Sequence, residues 1–287
     1  MPDYPGEFHG RIMHTRHYKT PELFRGQRVL VVGAGNSGCD IAVEAAQNAD
    51  RTLLSLRRGY RFIPKYLFGK PSDQVGELML KLGLPLSLRR AINTLTLRLL
   101  QGRPQDFGLP APDHKLFESH PTVNSLLYYY LGQGDIAVKP DISELCGDRV
   151  RFRDGSEEEV DVIVYATGYR IDFPFIDPAH LNWQGDRPGL FLNAFHPTYD
   201  DLMVAGLIQP DSGSWGLIDQ QSRLFARFVR AQTRQPDKAE QFRRLKAEAS
   251  TTPGARQRYL DTPRHALEVE HYAYGKRLRK LEKLFDG

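Results

Sequence analysis

Short apolar runs and amphipathic stretches alternate along most of the 287-residue chain. Residues 28–33 read RVLVVG and residues 51–57 read RTLLSLR, and compact apolar runs of this length are typical of buried strands. The intervening residues 36–48 place isoleucine and alanine at helical spacing, which predicts a helix. A strand, a helix and a second strand in this order form a βαβ unit, so the pattern predicts a parallel sheet.

The rest of the chain continues this mixed pattern, which indicates an α/β fold. Residues 1–27 and 103–115 are rich in turn-forming residues and predict irregular structure. Further strands are predicted at 135–138, 149–153, 160–165, 190–193 and 202–205. Asp154-Gly155 is the expected turn between the strands at 149–153 and 160–165. Further helices are predicted at 76–101, interrupted by proline at 83–85, and at 215–233, 237–247 and 264–285.

The composition narrows the class of protein. With 40% hydrophobic and 26% charged residues and a net charge of +4, the chain is neither collagenous nor wholly disordered. It contains no apolar run near the ~18 residues of a membrane span, and its first residues lack a signal-peptide pattern. Two cysteines cannot form a disulfide framework, which favours a reducing compartment. We therefore expect a soluble, cytoplasmic protein.

Positive charge is concentrated at the C-terminal end of the chain. Residues 223–287 contain 16 Lys and Arg against 8 Asp and Glu. Because this stretch lacks interleaved aromatic residues that could stack on bases, it predicts a solvated helical face and no nucleic-acid contact. The nine histidines form no H-E-x-x-H pattern and no C-x-x-C pair exists, so no metal site is expected.

Residues 33–38 read GAGNSG and fit the pattern G-x-G-x-x-G directly between a predicted strand and a predicted helix. In such a loop Gly33 permits the tight turn, Gly35 lets the backbone approach a pyrophosphate, and Gly38 lets the helix pack closely. The helix N-terminus then offers free N–H groups to the phosphates. The pattern predicts a dinucleotide site, the alternative being an ordinary strand-to-helix turn.

The end of the second strand favours NADPH over NADH. An NAD site usually carries an acidic residue there to bind the ribose 2′-hydroxyl, whereas this chain has Ser55-Leu56-Arg57-Arg58. Two guanidinium groups suit a 2′-phosphate, because they form forked, charge-assisted hydrogen bonds. The alternative is that both arginines are only solvent-exposed.

Three segments resemble the flavin-containing monooxygenases. Phe8, Gly10, His14 and Tyr18 match the pattern F-x-G-x-x-x-H-x-x-x-Y, upstream of the glycine loop. Residues 165–169 match the A-T-G-Y segment, and residues 206–209 with Gln220-Gln221 resemble the family's C-terminal stretch near the flavin. The pair Tyr18-Lys19 resembles the branch of the family that oxygenates nitrogen and sulfur. The alternative is the Baeyer–Villiger branch.

The resemblance implies an enzyme in which NADPH reduces FAD and a C4a-hydroperoxyflavin formed with O₂ oxygenates a nucleophilic N or S atom of a small molecule. It implies NADPH contacts from Gly33, Gly35, Asn36, Ser37, Gly38, Cys39, Asp40, Ser55, Arg57 and Arg58, with Cys39 facing the core. It implies flavin contacts from Ala166, Thr167, Gly168, Gln209 and Gln220. Asn124 would reach either cofactor or cap a helix. His14 is expected to be a hydrogen-bonded residue, and no catalytic side chain is assigned.

The chain departs from the family pattern in having one glycine loop, because the FAD loop of the family lies upstream of the Phe8 segment. We expect a Rossmann-like NADPH-binding domain (28–135, with a helical insertion) and the C-terminal part of a doubly wound FAD-binding domain (136–221). The interdomain segment 1–27 and the basic helical tail 222–287 flank them. The strand at 160–165 is expected to lack sheet partners and to expose its backbone.

Several alternatives follow from this departure. The chain is interpreted as a monooxygenase truncated at its N-terminus, as an inactive NADP-binding fragment, or as one subunit of a split flavoprotein whose partner chain supplies the FAD segment; a homo-oligomer is also open. A short-chain dehydrogenase would need Y-x-x-x-K, which Tyr272 and Lys276 fit, but this pair is interpreted as helix surface. No motif identifies the small-molecule substrate.

Overall fold

The computed structural model describes residues 1–81, 84–116, 118, 121–185, 187–248 and 267–286. The chain divides into two compact units. The N-terminal unit comprises Met1–Ser72, Pro85–Leu116 and Pro121–Tyr169, and the C-terminal unit is formed mainly by the described residues after 169.

The N-terminal unit contains thirteen strands, most of them short. They are β1 (Gly6–Phe8), β2 (Arg11–His14), β3 (Arg28–Val32), β4 (Arg51–Ser55), β5 (Phe62–Ile63), β6 (Tyr66–Leu67), β7 (Lys70–Pro71), β8 (Thr122–Val123), β9 (Ile136–Lys139), β10 (Ile142–Gly147), β11 (Arg149–Phe152), β12 (Glu157–Glu159) and β13 (Val162–Tyr165). Its helices are α1 (Asn36–Asn48), α3 (Leu86–Gln101) and α4 (Leu127–Gln133), while α2 (Ser72–Lys81) belongs mainly to the C-terminal unit.

Two sheets organise the N-terminal unit. The main sheet has five parallel strands in the order β2-β13-β3-β4-β9. The second sheet has the order β1-β10-β11-β12, with β1 parallel to β10 and the other pairs antiparallel. The predicted βαβ unit is therefore present as β3, α1 and β4, and the predicted parallel sheet is confirmed.

Alternation along β3 explains why the main sheet is covered on both faces. Val29 and Val31 pack in the cluster that includes α1 and α4, while Leu30 and Val32 pack in the cluster that includes Phe152 of the second sheet. The unit thus has three layers, with helices on one face of the main sheet and the second sheet on the other. Full burial of one such side chain contributes roughly 1.5–3 kcal/mol, so both faces of β3 stabilise the fold.

Strand β13 corrects the expectation that residues 160–165 lack partners. Val162–Tyr165 pairs with β2 on one side and with β3 on the other, and all four of its residues are buried. The partner that the sequence interpretation overlooked is β2, which lies within the first 27 residues. That stretch was predicted to be irregular, and this prediction is wrong at β1 and β2.

The prediction that Asp154-Gly155 joins the strands at 149–153 and 160–165 is wrong. It joins β11 to β12 in a hairpin within the second sheet, whereas β13 belongs to the main sheet. The side chain of Asp154 accepts a hydrogen bond from the backbone N–H of Ser156, and Gly155 has a φ of +80°. Asp154-Gly155 therefore forms a turn as predicted, while β10 and β12 are strands that the sequence pattern does not predict.

Among the described residues after 169, the C-terminal unit is built around three helices. It contains α5 (Trp215–Arg234), α6 (Pro236–Glu248) and α7 (His271–Glu282), with short strands β14 (Trp183–Gln184), β15 (Arg187–Pro188), β16 (Gln209–Pro210) and β17 (Glu268–Val269). Its core is a cluster of aromatic side chains that includes Phe195, Phe228 and Phe242. The predicted helices at 215–233 and 237–247 are confirmed. The helix predicted from 264 begins at His271, and residues 264–266 lie outside the described part of the chain.

The two strands predicted at 190–193 and 202–205 are wrong. Phe195 forms isolated β-bridges with Phe191 and with Met203. The chain makes a turn at residues 192–194, between Phe191 and Phe195. Leu192 and Asn193 have φ values of +55° and +52°, in the left-handed region that a strand residue does not adopt. The apolar residues at 190–193 and 202–205 predicted strands, but the backbone at Leu192 and Asn193 adopts a turn conformation instead.

No helix among the described residues is long and apolar enough to cross a membrane. Within the same residues, no group of three or more His, Cys, Asp or Glu side chains is placed to bind a metal ion.

Candidate functional site

The carboxyl ends of four neighbouring strands meet at one edge of the main sheet. In the register of the sheet, His14 of β2 lies opposite Tyr165 of β13, Tyr165 lies opposite Val32 of β3, and Val32 lies opposite Ser55 of β4. The segments that follow these strands therefore leave the sheet side by side. In open sheets of parallel strands, ligands bind in the crevice outside this edge. The sheet thus brings together four of the segments that the sequence singled out.

The glycine loop begins immediately after β3. Gly33 has a φ of +105°, and a Cβ atom there would lie 2.7 Å from the carbonyl oxygen of Ala166. A Cβ atom on Gly38 would lie 1.9 Å from the carbonyl oxygen of Gly33, so only glycine fits where α1 crosses the loop. A Cβ atom on Gly35 would meet no atom within 4 Å. Gly33 and Gly38 are thus required by packing, while the space beside Gly35 is open.

The start of α1 has the form expected of a phosphate-binding helix. The helix begins at Asn36, and no side chain caps it at Gly35. The first N–H groups of a helix have no partner within the helix, so they remain available to an anion. Asn36 and Ser37 are exposed. An open space beside Gly35 and an uncapped helix N-terminus fit the pyrophosphate of a dinucleotide.

The two residues after Gly38 differ in accessibility. Cys39 is completely buried, and its Sγ atom donates a hydrogen bond to the carbonyl oxygen of Ala34 at 3.5 Å. Burial raises the pKa of the Cys39 thiol above its usual range. Asp40 is exposed, and its Oδ1 atom accepts a hydrogen bond from Asn124 at 2.8 Å. The predicted inward orientation of Cys39 is confirmed.

The segment after β4 carries the residues predicted for the 2′-phosphate. Ser55 is buried and its hydroxyl donates a hydrogen bond to the carbonyl oxygen of Pro140 at 2.8 Å, so this hydroxyl is already used within the protein. Arg57 is exposed, and the guanidinium of Arg58 lies 5.8 Å from the ring centre of Tyr60. Within the described part of the chain, neither arginine has an ion pair with a carboxylate. Both remain candidates for an anionic ligand.

Asn124 has the geometry of a helix cap, the alternative that the sequence left open. Its Oδ1 atom accepts hydrogen bonds from the backbone N–H groups of Leu126 and Leu127, at 2.9 and 2.7 Å, where α4 begins. Its Nδ2 atom donates to Asp40. Contact between Asn124 and a cofactor stays a prediction.

Two residues of the F-x-G-x-x-x-H-x-x-x-Y pattern shape the connection between β1 and β2. A Cβ atom on Gly10 would lie 2.4 Å from the carbonyl oxygen of Asp161 and 2.7 Å from the ring of Phe8. The position therefore requires glycine for close packing. Phe8 is half-buried against the core between the two sheets.

His14 connects the ends of β2 and β13. Its Nδ1 atom accepts a hydrogen bond from the backbone N–H of Arg16 at 3.2 Å, so the proton resides on Nε2. That Nε2 atom lies 3.0 Å from the carbonyl oxygen of Gly168 and therefore donates to it. Both ring nitrogens are thus engaged in hydrogen bonds within the protein, as expected of a hydrogen-bonded residue.

Tyr18 fixes the chain against α1. Its hydroxyl donates a short hydrogen bond to the carboxylate of Glu44, and its ring stacks on Phe24 with ring centres 5.2 Å apart. Burial and this hydrogen bond to Glu44 raise the pKa of Tyr18 above its usual range. Tyr18 is therefore a packing and hydrogen-bonding residue.

The A-T-G-Y segment follows β13. The backbone N–H of Ala166 donates to Val32 at 2.9 Å, which extends the pairing with β3 by one residue. Thr167 and Gly168 are exposed, and Gly168 has a φ of +95°. The segment thus passes close to the glycine loop at Ala166 and then turns outward at Gly168.

The predicted glutamines lie in the C-terminal unit and have different surroundings. Gln209 lies in β16 and is half-buried. The Oε1 atom of Gln220 is buried and has no hydrogen-bond partner among the described residues. The neighbouring Gln221 is completely buried, accepts from Gly206 at 2.9 Å and donates to Tyr274 at 2.6 Å. Gln221 therefore has a structural role, whereas contact between Gln220 and a ligand stays a prediction.

The Y-x-x-x-K pair lies on the surface of α7. Tyr272 is 45% exposed and Lys276 is exposed, so the interpretation of this pair as helix surface is confirmed. Sequence reasoning missed Thr122, which is buried and donates a hydrogen bond to the glycine loop at Ala34. The only available signal was a threonine two residues before Asn124, in a stretch predicted as neither strand nor helix.

Comparison with known proteins assigns the chain to a family. The family model described as flavin-binding monooxygenase-like matches residues 2–279. Flavin-containing monooxygenase 5 of Cavia porcellus is 30% identical over 281 residues, covering 94% of this chain and 52% of that protein. Dimethylaniline monooxygenase (N-oxide-forming) 2 of Rattus norvegicus is 33% identical over 245 residues, covering 82% and 46%. The chain belongs to the flavin-binding monooxygenase-like family, and it spans about half the length of the curated relatives it matches.

Solved structures agree on the fold. S-allyl-L-cysteine S-oxygenase from Allium sativum matches with a TM-score of 0.53 and 19% identity, over 98% of this chain and 51% of that one. Tmm from Pelagibacter sp. strain HTCC7211 matches with a TM-score of 0.51 and 17% identity, over 99% and 52%. The α/β fold predicted from the sequence and the family resemblance carried by Phe8, Gly10, His14 and Tyr18 are both confirmed.

Proposed function

We propose that this chain binds NADPH at the carboxyl edge of the main sheet and takes part, with FAD, in the oxygenation of a nucleophilic nitrogen or sulfur atom of a small molecule. The observation that carries the proposal is the open space beside Gly35 at an uncapped helix N-terminus, in a chain of the flavin-binding monooxygenase-like family. A relative named as N-oxide-forming supports nitrogen as one target atom.

The residues of the glycine loop would bind the pyrophosphate. The backbone N–H groups of Asn36, Ser37 and Gly38 would donate to its oxygens, and the positive end of the α1 dipole would stabilise its charge. Gly35 would let the backbone approach closely, because no side chain separates it from the ligand. These residues bind and orient the dinucleotide.

Arg57 and Arg58 would bind the 2′-phosphate and thereby select NADPH over NADH. The parallel pairing of β3 with β4 places the segment after Ser55 beside the segment after Val32, on the same edge of the sheet. Charge-assisted hydrogen bonds from a guanidinium to a phosphate are stronger than bonds between neutral groups. The hydroxyl of Ser55 stays bonded to Pro140, so we assign Ser55 a backbone role only.

Thr167 and Gly168, which leave the same edge after β13, would lie beside the flavin. Within the C-terminal unit taken by itself, Gln220 is a candidate for a ligand contact, because its buried Oε1 atom has no donor among the described residues and such an acceptor is costly. Bound FAD and NADPH would supply the redox and oxygen chemistry. The protein would position them and exclude water.

We further propose that residues 28–135 supply most of a Rossmann-like NADPH-binding domain, whose sheet β9 and β13 complete, and that the range 136–221 contributes to flavin binding. Two cysteines are too few for a disulfide framework, which supports a reducing, cytoplasmic location. A partner chain that supplies a second glycine loop would contribute to the FAD site, and a homo-oligomer is a separate proposal, because a second copy would bring the same single loop.

The proposal is tested by measuring the affinity for NADPH and for NADH with the native chain and two variants. Gly35→Ala should keep the fold, because its Cβ atom has free space, and should weaken NADPH binding by at least ~10-fold, because the methyl group blocks the pyrophosphate. Replacing Arg57 and Arg58 by Gln should weaken NADPH binding by roughly 10- to 100-fold and leave NADH binding unchanged.

Matched controls separate binding from stability. Gly216→Ala makes the same change on the exposed side of α5, and Arg25→Gln removes an exposed guanidinium just before the amino end of β3. Neither control should alter nucleotide affinity. Adding FAD and recording the visible spectrum before and after NADPH then tests the flavin. A native chain that binds no NADPH would refute the proposal. A native chain that binds NADPH but no FAD would be an NADP-binding unit and not an oxygenase by itself.

A further inference from the structure

We propose that Thr122 and Asn124 are positioning residues that fix the glycine loop for the dinucleotide. The 122–124 segment (Thr122, Val123 and Asn124) makes three hydrogen bonds to the loop and to α1, although it lies more than 80 residues further along the chain. The inference rests on the proposed function, because it assigns these residues a role toward NADPH.

The first bond holds the loop itself. Thr122 is 2% exposed, and its hydroxyl donates to the carbonyl oxygen of Ala34 at 3.0 Å. Ala34 lies between Gly33 and Gly35, so its carbonyl belongs to the peptide group that joins Ala34 to Gly35, the residue beside the open space. The Sγ atom of Cys39 donates to the same oxygen, but a thiol is a weak donor. Thr122 is therefore the strong side-chain donor that orients this peptide.

The second bond keeps the start of α1 uncapped. The backbone N–H of Val123 donates to the Oδ1 atom of Asn36 at 2.8 Å. An asparagine near a helix N-terminus can use this oxygen to bind free backbone N–H groups. Because the oxygen is bound to Val123, those N–H groups stay available to a phosphate.

The third bond orients Asp40. Asn124 is 6% exposed, and its Nδ2 atom donates to Oδ1 of Asp40 at 2.8 Å, while Nζ of Lys65 lies 3.9 Å from the same oxygen. The Oδ1 atom of Asn124 meanwhile caps α4. One buried amide thus links the N-terminus of α4 to the side chain of Asp40 on α1. This linkage fixes the orientation of the Asp40 carboxylate beside the first turn of α1.

The 122–124 segment is itself connected to the arginine segment. Strand β8 pairs with β5, whose residues follow Arg57 and Arg58 by only a few positions. The backbone N–H of Thr122 donates to Arg61 at 2.8 Å, and that of Asn124 donates to Ile63 at 2.9 Å. The same short segment therefore links the pyrophosphate side of the proposed site to the 2′-phosphate side and sets the spacing between them.

The first experiment compares Thr122→Val with Thr122→Ser. Valine keeps the shape and removes the donor, whereas serine keeps the donor. We expect Thr122→Val to weaken NADP⁺ binding about tenfold and Thr122→Ser to bind as the native chain does. In the absence of nucleotide, hydrogen exchange of the amides of residues 33–38 should accelerate in Thr122→Val only.

The second experiment is a double-mutant cycle. Asn124→Asp keeps an oxygen to cap α4 but places a second carboxylate against Asp40, so NADP⁺ affinity should fall by at least ~10-fold. Adding Asp40→Asn restores the hydrogen bond with donor and acceptor exchanged, and most of the affinity should return. Asp40→Asn alone serves as the reference. Urea unfolding of the four proteins without nucleotide separates the two roles, because a merely structural role would change the free energy of unfolding and leave the NADP⁺ affinity of the folded protein unchanged.

The outcomes distinguish the two proposals. If the native chain binds NADP⁺ but Thr122→Val and Asn124→Asp bind equally well, the positioning role is wrong and the proposed function stands. If the native chain binds no NADP⁺, the proposed function fails. In that case, unchanged hydrogen exchange at residues 33–38 in Thr122→Val would show that Thr122 does not hold the glycine loop, and the positioning role would also be wrong. Faster exchange at these residues would show that Thr122 holds the loop even though the chain binds no NADP⁺.

Discussion

The imidazole of His14 donates a hydrogen bond to the carbonyl oxygen of Gly168 at 3.0 Å and so connects two segments that are 154 residues apart in sequence. The hydroxyl of Thr15 and that of Tyr169 lie 2.9 Å apart beside it, and the two rings of His14 and Tyr169 meet edge to face. Two segments that the sequence singled out by motif are therefore one structural element at the carboxyl edge of the sheet.

This relationship predicts that His14→Phe lowers the free energy of unfolding by about 1–2 kcal/mol. Phenylalanine keeps the ring beside Tyr169 but leaves Gly168 and the N–H of Arg16 without their partner. Urea unfolding measures the effect, with His17→Phe as the control because His17 is exposed. Unchanged stability of His14→Phe would contradict the structural role.

The carboxylate of Asp161 predicts a pH-dependent contribution to stability. It accepts hydrogen bonds from the backbone N–H and the guanidinium of Arg28, at 2.7, 2.9 and 2.6 Å. The guanidinium of Arg28 holds the pKa of Asp161 below its usual range. The stabilisation is therefore fully present above the ordinary aspartate pKa of about 3.9 and is lost as the pH falls through the lower, folded-state pKa.

Asp161→Asn should accordingly lower the melting temperature by a few degrees at neutral pH, and the difference from the native chain should shrink below about pH 4. Thermal unfolding at a series of pH values checks this. Asp135→Asn is the control, because Asp135 is exposed and has no ion pair within the described residues. A difference that stays constant down to the lowest pH would rule out a charge-dependent role for Asp161.

Tyr274 carries a buried hydrogen-bond network in the C-terminal unit. Its hydroxyl donates to Leu192 and accepts from Gln221, both at 2.6 Å. Tyr274→Phe leaves both groups buried without a partner, so the free energy of unfolding should fall by about 1–3 kcal/mol.

The matched control for Tyr274→Phe is Tyr272→Phe on the same helix. Tyr272 is 45% exposed, and its hydroxyl should contribute less than about 0.5 kcal/mol. Denaturant unfolding of both variants provides the comparison. Equal loss of stability in the two would refute the network, and loss of NADPH oxidation in Tyr272→Phe would revive the dehydrogenase alternative.

The two cysteines should react with thiol reagents at different rates. Cys39 is completely buried and its pKa is raised by burial, while Cys146 is half-buried in β10. Because the thiolate is the reactive form, the native chain should show one fast thiol and a second that reacts only on unfolding. Cys146→Ser should remove the fast phase. Two fast thiols in the native chain would contradict the burial of Cys39.

The residues that sequence reasoning located best are those whose local conformation is determined by their neighbours. The helix at Asn36–Asn48 was predicted with its observed bounds, and the glycine loop lies where its pattern indicated. Gly33 and Gly38 are required by contacts within one βαβ unit, and a local pattern can reveal such contacts.

The residues that were missed depend on partners far away in the chain. Strand β2 is four residues long and becomes a strand because Val162–Tyr165 pairs with it. Thr122 contacts Ala34, 88 positions earlier, and nothing in its immediate neighbours indicates this. At Leu192 and Asn193 the error is of the other kind: the apolar neighbours of these residues predicted a strand, but the backbone turns there.

The position of β13 between β2 and β3 has a consequence for how the chain folds. The strand that must lie between residues 11–14 and residues 28–32 is synthesised later than both, because Val162 follows Val32 by 130 residues. Until it is synthesised, β3 has an open edge, and pairings of such large sequence separation form slowly. We therefore expect late, cooperative closure of the main sheet and a dependence of the yield of folded protein on chaperones that shield the open edge of β3 during translation.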